Sequence, residues 1–566
     1  MSAGGSPLPV GGSVKASSPG RSPGSALLLV SLLLFLGYWL VFPILTLAWR
    51  SLASDNGGYA GFANFSAVLT TPGISSAVWH TLFLGAVATV ITVLLAFTIA
   101  YGLTRTRMAG GRAAAVICLL PLFAPSLFPS VGLVYFFGNQ GLLKWMLFGA
   151  ELHGPVGIIL GSVIFCLPHA VILCTTTLRS IDGNLYEAAR TLGVSPWRQF
   201  NTITLPHARY GLISAGLVVF ILTITDFGVP KVLGGDYSML ATEIYKQVLG
   251  MQNFALGASI SLVLMLPSVA AFAVDTWARK KQSLLVTRDT GRAPHRPVGA
   301  SLARDAAFTV SVWCILGAQL AVFGIVVWGS FVSFWPYDFS LTLMHYDFSA
   351  VGGSAEPFAN SLILALGAAL AGPVIVFLGA YCVTRCPVPR PLSSLYRALA
   401  LLPLSIPGTV LGLSYIFAFN RPGDWYTLLY GSFPLLILNT VVHFYTVGHL
   451  ALSGSLQSMN PDYETVGFTA GVPRQRTFFR VICPLSLRTM LDISLYIFVN
   501  ALTTISAVVF LYTPETLPAS VFMLQVSDTG NTAAAAAVGT GLLLAAFAAR
   551  LVYALLIRLC ERQARH

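Results

Sequence analysis

The sequence predicts an all-α polytopic membrane protein of twelve transmembrane helices, arranged as two parallel six-helix repeats. Three observations carry this reading. Apolar residues fill 56% of the 566 positions and charged residues only 9%. The basic residues cluster in short segments between apolar runs. The second half of the chain restates the first.

A soluble domain carries about a quarter charged residues. With a mean hydropathy of +0.78, this chain has too few charges to cover a water-facing surface, so lipid is the solvent for much of it. The net charge of +12 raises nucleic acid as a partner. The basic residues are spread through loops as the positive-inside rule predicts and form no single patch interleaved with aromatics, so no nucleic acid is expected. The eight cysteines show no Cys-x-x-Cys or Cys/His ligand spacing. No metal and no disulfide are assigned, and Cys382 and Cys386 are read as packing.

Residues 1–25 are polar and Gly/Ser/Pro-rich, which predicts a disordered tail. The apolar run that follows is long enough to span a bilayer and has no A-x-A site after it. It is read as a retained first helix. A span takes about 20 apolar residues. The first six are placed near 26–48, 79–103, 113–137, 155–178, 210–230 and 255–277. The second six fall near 306–331, 359–383, 397–419, 431–453, 489–511 and 533–557.

One set of loops holds Arg105, Arg107, Arg112, Arg179, Arg190 and Arg198, and later Arg385, Arg390, Arg397, Arg474, Arg476 and Arg480. The other set holds only Arg50, Lys144, Lys231, Lys246 and Arg421. The first side is therefore expected to be cytoplasmic, with both termini on it.

The repeat is explicit. Ala100-Tyr101-Gly102-Leu103-Thr104-Arg105 matches Ala380-Tyr381-Cys382-Val383-Thr384-Arg385, an offset of 280. Leu119-Leu120-Pro121-Leu122 with Pro125 matches Leu401-Leu402-Pro403-Leu404 with Pro407, an offset of 282. Six spans per half make the repeats parallel, with the pathway expected between them. The domains are then a first half over 26–278, a basic linker over 279–305, a second half over 306–558 and a short tail over 559–566.

Between the fourth and fifth spans lies Glu187-Ala188-Ala189-Arg190-Thr191-Leu192-Gly193, continuing to Ile203-Thr204-Leu205-Pro206. Glu187, Ala188 and Ala189 favour helix, with Asp182 and Asn184 as capping candidates. Gly193 is suited to end that helix at positive φ, Pro196 to open a second one, and Pro206 to break the chain before the fifth span. A degenerate second copy runs from Glu464 through Gly471 to Ile482 and Pro484; Gly193 to Pro206 and Gly471 to Pro484 are both 13 apart. The bland alternative is an amphipathic loop on the membrane surface.

The order E-A-A, three residues, G, nine residues, I-x-L-P resembles the E-A-A loop of binding-protein-dependent ABC importer permeases, and the resemblance covers nearly the whole chain. It implies a bacterial inner-membrane permease subunit. It also implies that Glu187, Ala188, Ala189 and Gly193, with Pro206, Glu464, Gly471 and Pro484, form coupling loops on a pair of ATPase subunits. A binding protein would deliver substrate at the outer face. The chain lacks a G-x-x-x-x-G-K-[ST] phosphate loop, so ATP and its magnesium are expected on the partner ATPase and no cofactor on this chain. No paired carboxylates or nucleophile–base set argues for chemistry here.

Fused permeases of this kind occur in the branch that imports ferric iron, thiamine and 2-aminoethylphosphonate. The stretches 225–235 and 241–247 look most like the aminoethylphosphonate members; ferric iron and thiamine are the alternatives. Candidate pathway residues are Thr225, Asp226, Lys231, Asn500 and Thr504, as polar groups in or beside spans; the bland reading is bonding between helices or docking. The rival from another class is a secondary transporter with six-plus-six helices, and a polytopic membrane enzyme is the remoter one.

Overall fold

The computed structural model describes residues 23–54, 58–286, 301–351, 353–420, 423 and 425–563. Among them, nine helices are long and apolar enough to cross a bilayer, and three bent helix pairs pass the same test. Together they give twelve segments. The sheet among the described residues is one two-stranded hairpin, Val332–Phe334 with Asp338–Leu341, between the seventh and eighth spans.

The sequence reading draws the third and ninth spans as straight helices over 113–137 and 397–419. The structure corrects this. Gly111–Phe123 and Leu127–Phe137 meet at 103°, and Arg390–Ser405 and Gly408–Phe419 at 111°. Proline is the cause. Ala124 (φ −127°, ψ 151°) precedes Pro125, and Ile406 (φ −98°, ψ 118°) precedes Pro407. A residue before proline is pushed out of the α region, and the proline has no amide to continue the ladder. The tenth span is also bent, by 55° between Phe433–His443 and Tyr445–Ser458.

The fifth and eleventh spans are displaced from 210–230 and 489–511. Their helices are Leu205–Thr225 and Cys483–Thr503. Each is continuous with a short helix before it, so that the fifth span begins at Pro196 and the eleventh at Arg474. Pro206 and Pro484 therefore do not break the chain. Each follows a π-helical turn, Phe200–Thr204 and Phe478–Ile482, whose wider bonding absorbs a missing amide. Both spans end in an extended residue, Asp226 (φ −68°, ψ 137°) and Thr504 (φ −68°, ψ 139°). Beyond it the apolar chain turns instead of continuing.

Each first span packs on the other half. The first span, Gly24–Ser51, lies against Glu356–Arg385, Arg390–Leu401 and Gly408–Phe419; the Tyr415 hydroxyl donates to the Trp39 carbonyl at 2.5 Å. The seventh span, Leu302–Gly329, lies against Leu127–Phe137 and Pro72–Arg105 of the first half. The Gln319 amide donates to the Ile117 carbonyl at 2.8 Å. Gly132 allows the approach, because a Cβ there would lie 2.4 Å from the Val322 carbonyl oxygen.

The helix of the sixth span runs on to Val286, and the seventh begins at Leu302; most of the linker drawn at 279–305 thus lies outside the described residues. So do residues 1–22 of the expected tail, whose last residues belong to a helix that opens at Pro23. The last helix continues to Gln563, into the segment read as a C-terminal tail.

Candidate functional site

The two Glu/Gly loops share one end of the molecule with the basic clusters, and they have one architecture. In the first, Asp182 caps the helix Gly183–Thr191 by accepting from the Asn184 amide at 3.0 Å. Gly193 ends it at φ +66°. The Val194 amide donates to the Ala189 carbonyl at 2.9 Å and the Gly193 amide to Arg190 at 3.0 Å, the six-to-one closure of a left-handed helix end. Ser195 and Pro196 then open the extended fifth span. In the second loop, the helix Asp462–Thr469 ends at Gly471 (φ +71°), and the Val472 amide donates to the Gly467 carbonyl at 2.8 Å.

The first loop presents Glu187 and Ala188 to solvent together with Leu192 and Trp197, while Ala189 is buried. The second presents Tyr463, Thr465 and Val466. Glu464 does not take the place of Glu187. At the offset of 278 that relates Gly193 to Gly471, Glu187 matches Thr465 and Glu464 matches Tyr186. Both of those side chains turn inward.

Each finds an arginine from the end of the second span of its half. Arg105 is fully buried. Its Nη2 donates to the Leu178 carbonyl at 2.7 Å, and its guanidinium lies 4.4 Å from the centre of the Tyr186 ring. The Tyr186 hydroxyl bonds Thr204 Oγ1 at 2.8 Å. Arg385 donates from Nε to the Leu456 carbonyl at 3.0 Å and from Nη2 to Met459 at 2.6 Å, and meets Glu464 at 3.4 Å. The offset from Leu178 to Leu456 is again 278. Burial holds the Glu464 carboxyl above its usual range, against the pull of Arg385 and Arg474. Burial likewise raises the Tyr186 hydroxyl, against Arg105.

At the opposite end, the halves meet through Lys231 and Asp528, 3.1 Å apart. Lys231 also lies 5.3 Å from the centre of the Tyr245 ring, and Tyr245 packs on Phe510 of the second half at 6.1 Å. Beside this cluster opens a cavity of about 470 Å³, lined by Asp236, Glu243 and Lys246 among others.

The pathway candidates are not gathered into one site. Asp226 does not meet Lys231. It accepts from the Val229 amide at 2.8 Å, opening the short helix Gly228–Leu233, and also from Ser126. Thr504 stands at its repeat position, and its carbonyl accepts from Ser520 at 2.6 Å. Thr225 and Asn500 bond their own helices, to Ile221 and Tyr496. Among the described residues no three His, Cys, Asp or Glu side chains gather as a metal site. The residues that sequence reasoning missed are Arg105, Arg385, Tyr186, Tyr245 and Asp528. The two arginines carried a signal, a matched Thr-Arg at each second span's end; Asp528 carried none.

Twelve apolar segments, two halves of one design and a paired helix–turn module at the basic end define the class: a duplicated, polytopic transport protein. Comparison with known proteins makes this specific. The family described as binding-protein-dependent transport system inner membrane component matches the chain twice, over residues 93–283 and 375–565. The chain belongs to that family, whose members are inner-membrane permeases. Both matches leave out the exchanged spans 1 and 7. It is similar to the ferric transport system permease protein FbpB of Actinobacillus pleuropneumoniae, at 27% identity over 82% of this chain and 68% of the relative. A putative ferric transport system permease of Haemophilus influenzae is 28% identical over 87% of this chain and 78% of its own length. The spermidine/putrescine permease PotB of the same organism is 26% identical over 40% of this chain and 84% of the relative.

Proposed function

We propose that this chain is the pathway-forming subunit of an ATP-driven importer whose substrate is ferric iron. The single observation that carries the importer reading is the duplicated loop at the basic end, with exposed Glu187, Ala188, Leu192 and Trp197 on a helix closed at Gly193. An exposed apolar patch beside a carboxylate on a rigid helix suits a partner groove. In this reading the partner is a pair of ATPase subunits, the basic end is cytoplasmic, and ATP hydrolysis belongs to the partner. Glu187, Ala188, Gly193 and Gly471 face that contact; Glu464 acts behind it.

At the outer end a loaded binding protein docks over the junction of the halves. Lys231, Asp528, Tyr245 and Phe510 then close the pathway between turnovers. Ferric iron is supported by the names of two relatives that span most of this chain. A second reading, 2-aminoethylphosphonate, rests on the stretches 225–235 and 241–247. Its argument from Lys231 as an anion site is weakened by Asp528, which already neutralises that ammonium.

The test is uptake of labelled ferric iron and labelled 2-aminoethylphosphonate by the full chain reconstituted with its ATPase and binding protein. ATP-dependent iron uptake is expected. Uptake of the phosphonate alone would replace the substrate, and uptake driven by an ion gradient without ATP would replace the importer reading with a secondary transporter.

A further inference from the structure

We propose that Arg105 and Arg385 are positioning residues that fasten each Glu/Gly loop helix to the membrane body, and that they do so through chemically different clasps. The second-span arginine bridges two things in both halves: the carbonyls that end the fourth or tenth span, and one inward residue of the loop helix. In the first half that residue is Tyr186, gripped by its ring face. In the second it is Glu464, gripped as an ion pair.

The arrangement follows from the groups present. The last carbonyls of a helix have no partner within it, and a cation is favoured there. A guanidinium offers five donors in a planar fork, so it can satisfy carbonyls with one edge and still face a second partner. Arg105 shows what is left over: its Nε and Nη1 have no hydrogen-bond acceptor, and the Tyr186 ring faces the guanidinium. An aromatic face supplies negative potential without adding a second buried charge. Arg385 is less enclosed, and Glu464 is 27% exposed, so a carboxylate is tolerated there. The Tyr186 hydroxyl carries the first clasp on to Thr204, in the π-helical turn of the fifth span. The loop helix of the first half is thereby tied to spans 2, 4 and 5 together. A force on that helix is delivered to three spans at once.

This inference rests on the importer reading for its meaning, but its first test does not. In the purified full chain, amide hydrogen exchange over residues 183–191 reports how firmly the helix is held. Tyr186→Leu should speed that exchange roughly thirtyfold, the scale of a desolvated cation–π contact. Tyr186→Phe keeps the ring and should retain protection. Unchanged exchange in Tyr186→Leu overturns the clasp, and so does a Tyr186→Phe variant as loose as Tyr186→Leu. If Tyr186→Leu does not yield folded protein, Glu464→Leu is read over residues 462–469 in the same way, with the same two outcomes. In the reconstituted transporter, substrate moved per ATP should fall in Tyr186→Leu and be retained in Tyr186→Phe. If the wild-type chain shows no ATP-dependent uptake, the importer reading fails and the exchange result still decides the clasp. If the wild type couples normally and Tyr186→Leu moves as much substrate per ATP, the positioning role fails and the importer reading stands.

Discussion

Replacing Lys231 by alanine removes the ion pair that joins the halves at the end opposite the basic loops, together with a ring contact inside the first half. The ion pair with Asp528 is 3.1 Å long, and its side chains are 26% and 40% exposed. Exposure of that degree places the pair with surface ion pairs, worth about 0.2–1 kcal/mol. The ammonium over Tyr245 at 5.3 Å lies within the first half and does not itself bias closure. The ion pair biases the closed outer end by at most about 1 kcal/mol, or roughly fivefold in the ratio of closed to open. The assay is a distance distribution between spin labels placed at the exposed Lys246 and Thr529. Lys231→Ala should raise the long-distance population by up to about fivefold, and Asp528→Ala by a similar factor, because each breaks the same pair across the halves. The double variant should fall short of the sum, since both single changes break one pair. Raised salt should reproduce part of the shift in the wild type. Additive single effects, or no change in either, would refute the latch.

Three further outcomes follow from local geometry. A side chain at Gly193 (φ +66°) or Gly471 (φ +71°) meets no neighbour within 4 Å, so alanine at either costs only the left-handed strain, about 1–2 kcal/mol. Equal losses of thermal stability are then expected. A larger loss of transport for Gly193→Ala would show the first loop to dominate coupling; the reverse order would sink that reading. Burial raises the Glu464 carboxyl, so the charged form is the costly one in the folded chain. Its contribution to stability is full below the ordinary glutamate value and is lost as pH rises through the raised one. Arg385, Arg474, Tyr381 and Cys386 surround it. Glu464→Gln should therefore not lower Tm at neutral pH, and a clear fall there would contradict the sign. Gly132→Ala drives a methyl against the Val322 carbonyl at 2.4 Å and should cost about 1–3 kcal/mol as overpacking, read as a lower Tm of the purified chain.

Hydropathy and the repeat made the twelve segments legible, because length and apolarity are what a bilayer selects. The same signal hid where segments bend. Leu119 to Phe137 is apolar apart from Ser126 and Ser130, so Pro125 was visible only as a repeat marker, although the physics of the residue before proline already called for a break. Phe227 to Leu233 is also apolar apart from Lys231, so the fifth span was extended past Asp226, whose side chain starts a new helix. The loop helices were legible through Gly193 and Gly471, whose role is local. The clasps were not, because Glu464 resembles Glu187 in type while it answers to Tyr186 in space. A one-residue slip in a degenerate motif turns a helix side chain by about 100°, from the solvent face to the inner one. The exchange of spans 1 and 7 left no periodic trace at all, since either half offers the same apolar surface.

The repeat preserves backbones more strictly than side chains, and the joint between the bend of the third or ninth span and the end of the fifth or eleventh shows why. In the first half a Cβ on Gly228 would lie 2.3 Å from the Ser126 hydroxyl; in the second a Cβ on Gly408 would lie 2.3 Å from the Ser506 hydroxyl. Ser126 and Gly408 are repeat partners at the offset of 282, and Gly228 and Ser506 at 278. The serine and the glycine have therefore changed places across one contact. That contact has room for one side chain and is indifferent to which element supplies it. Gly228→Ser alone should cost about 1–3 kcal/mol, because a packed joint cannot admit a second side chain without shifting. Ser126→Gly together with Gly228→Ser recreates the second half's arrangement and should recover most of that loss. Thermal unfolding of the purified full chain reads both. If the double variant melts no higher than Gly228→Ser, the joint is not governed by a shared volume, and the close glycines reflect a demand of each backbone on its own.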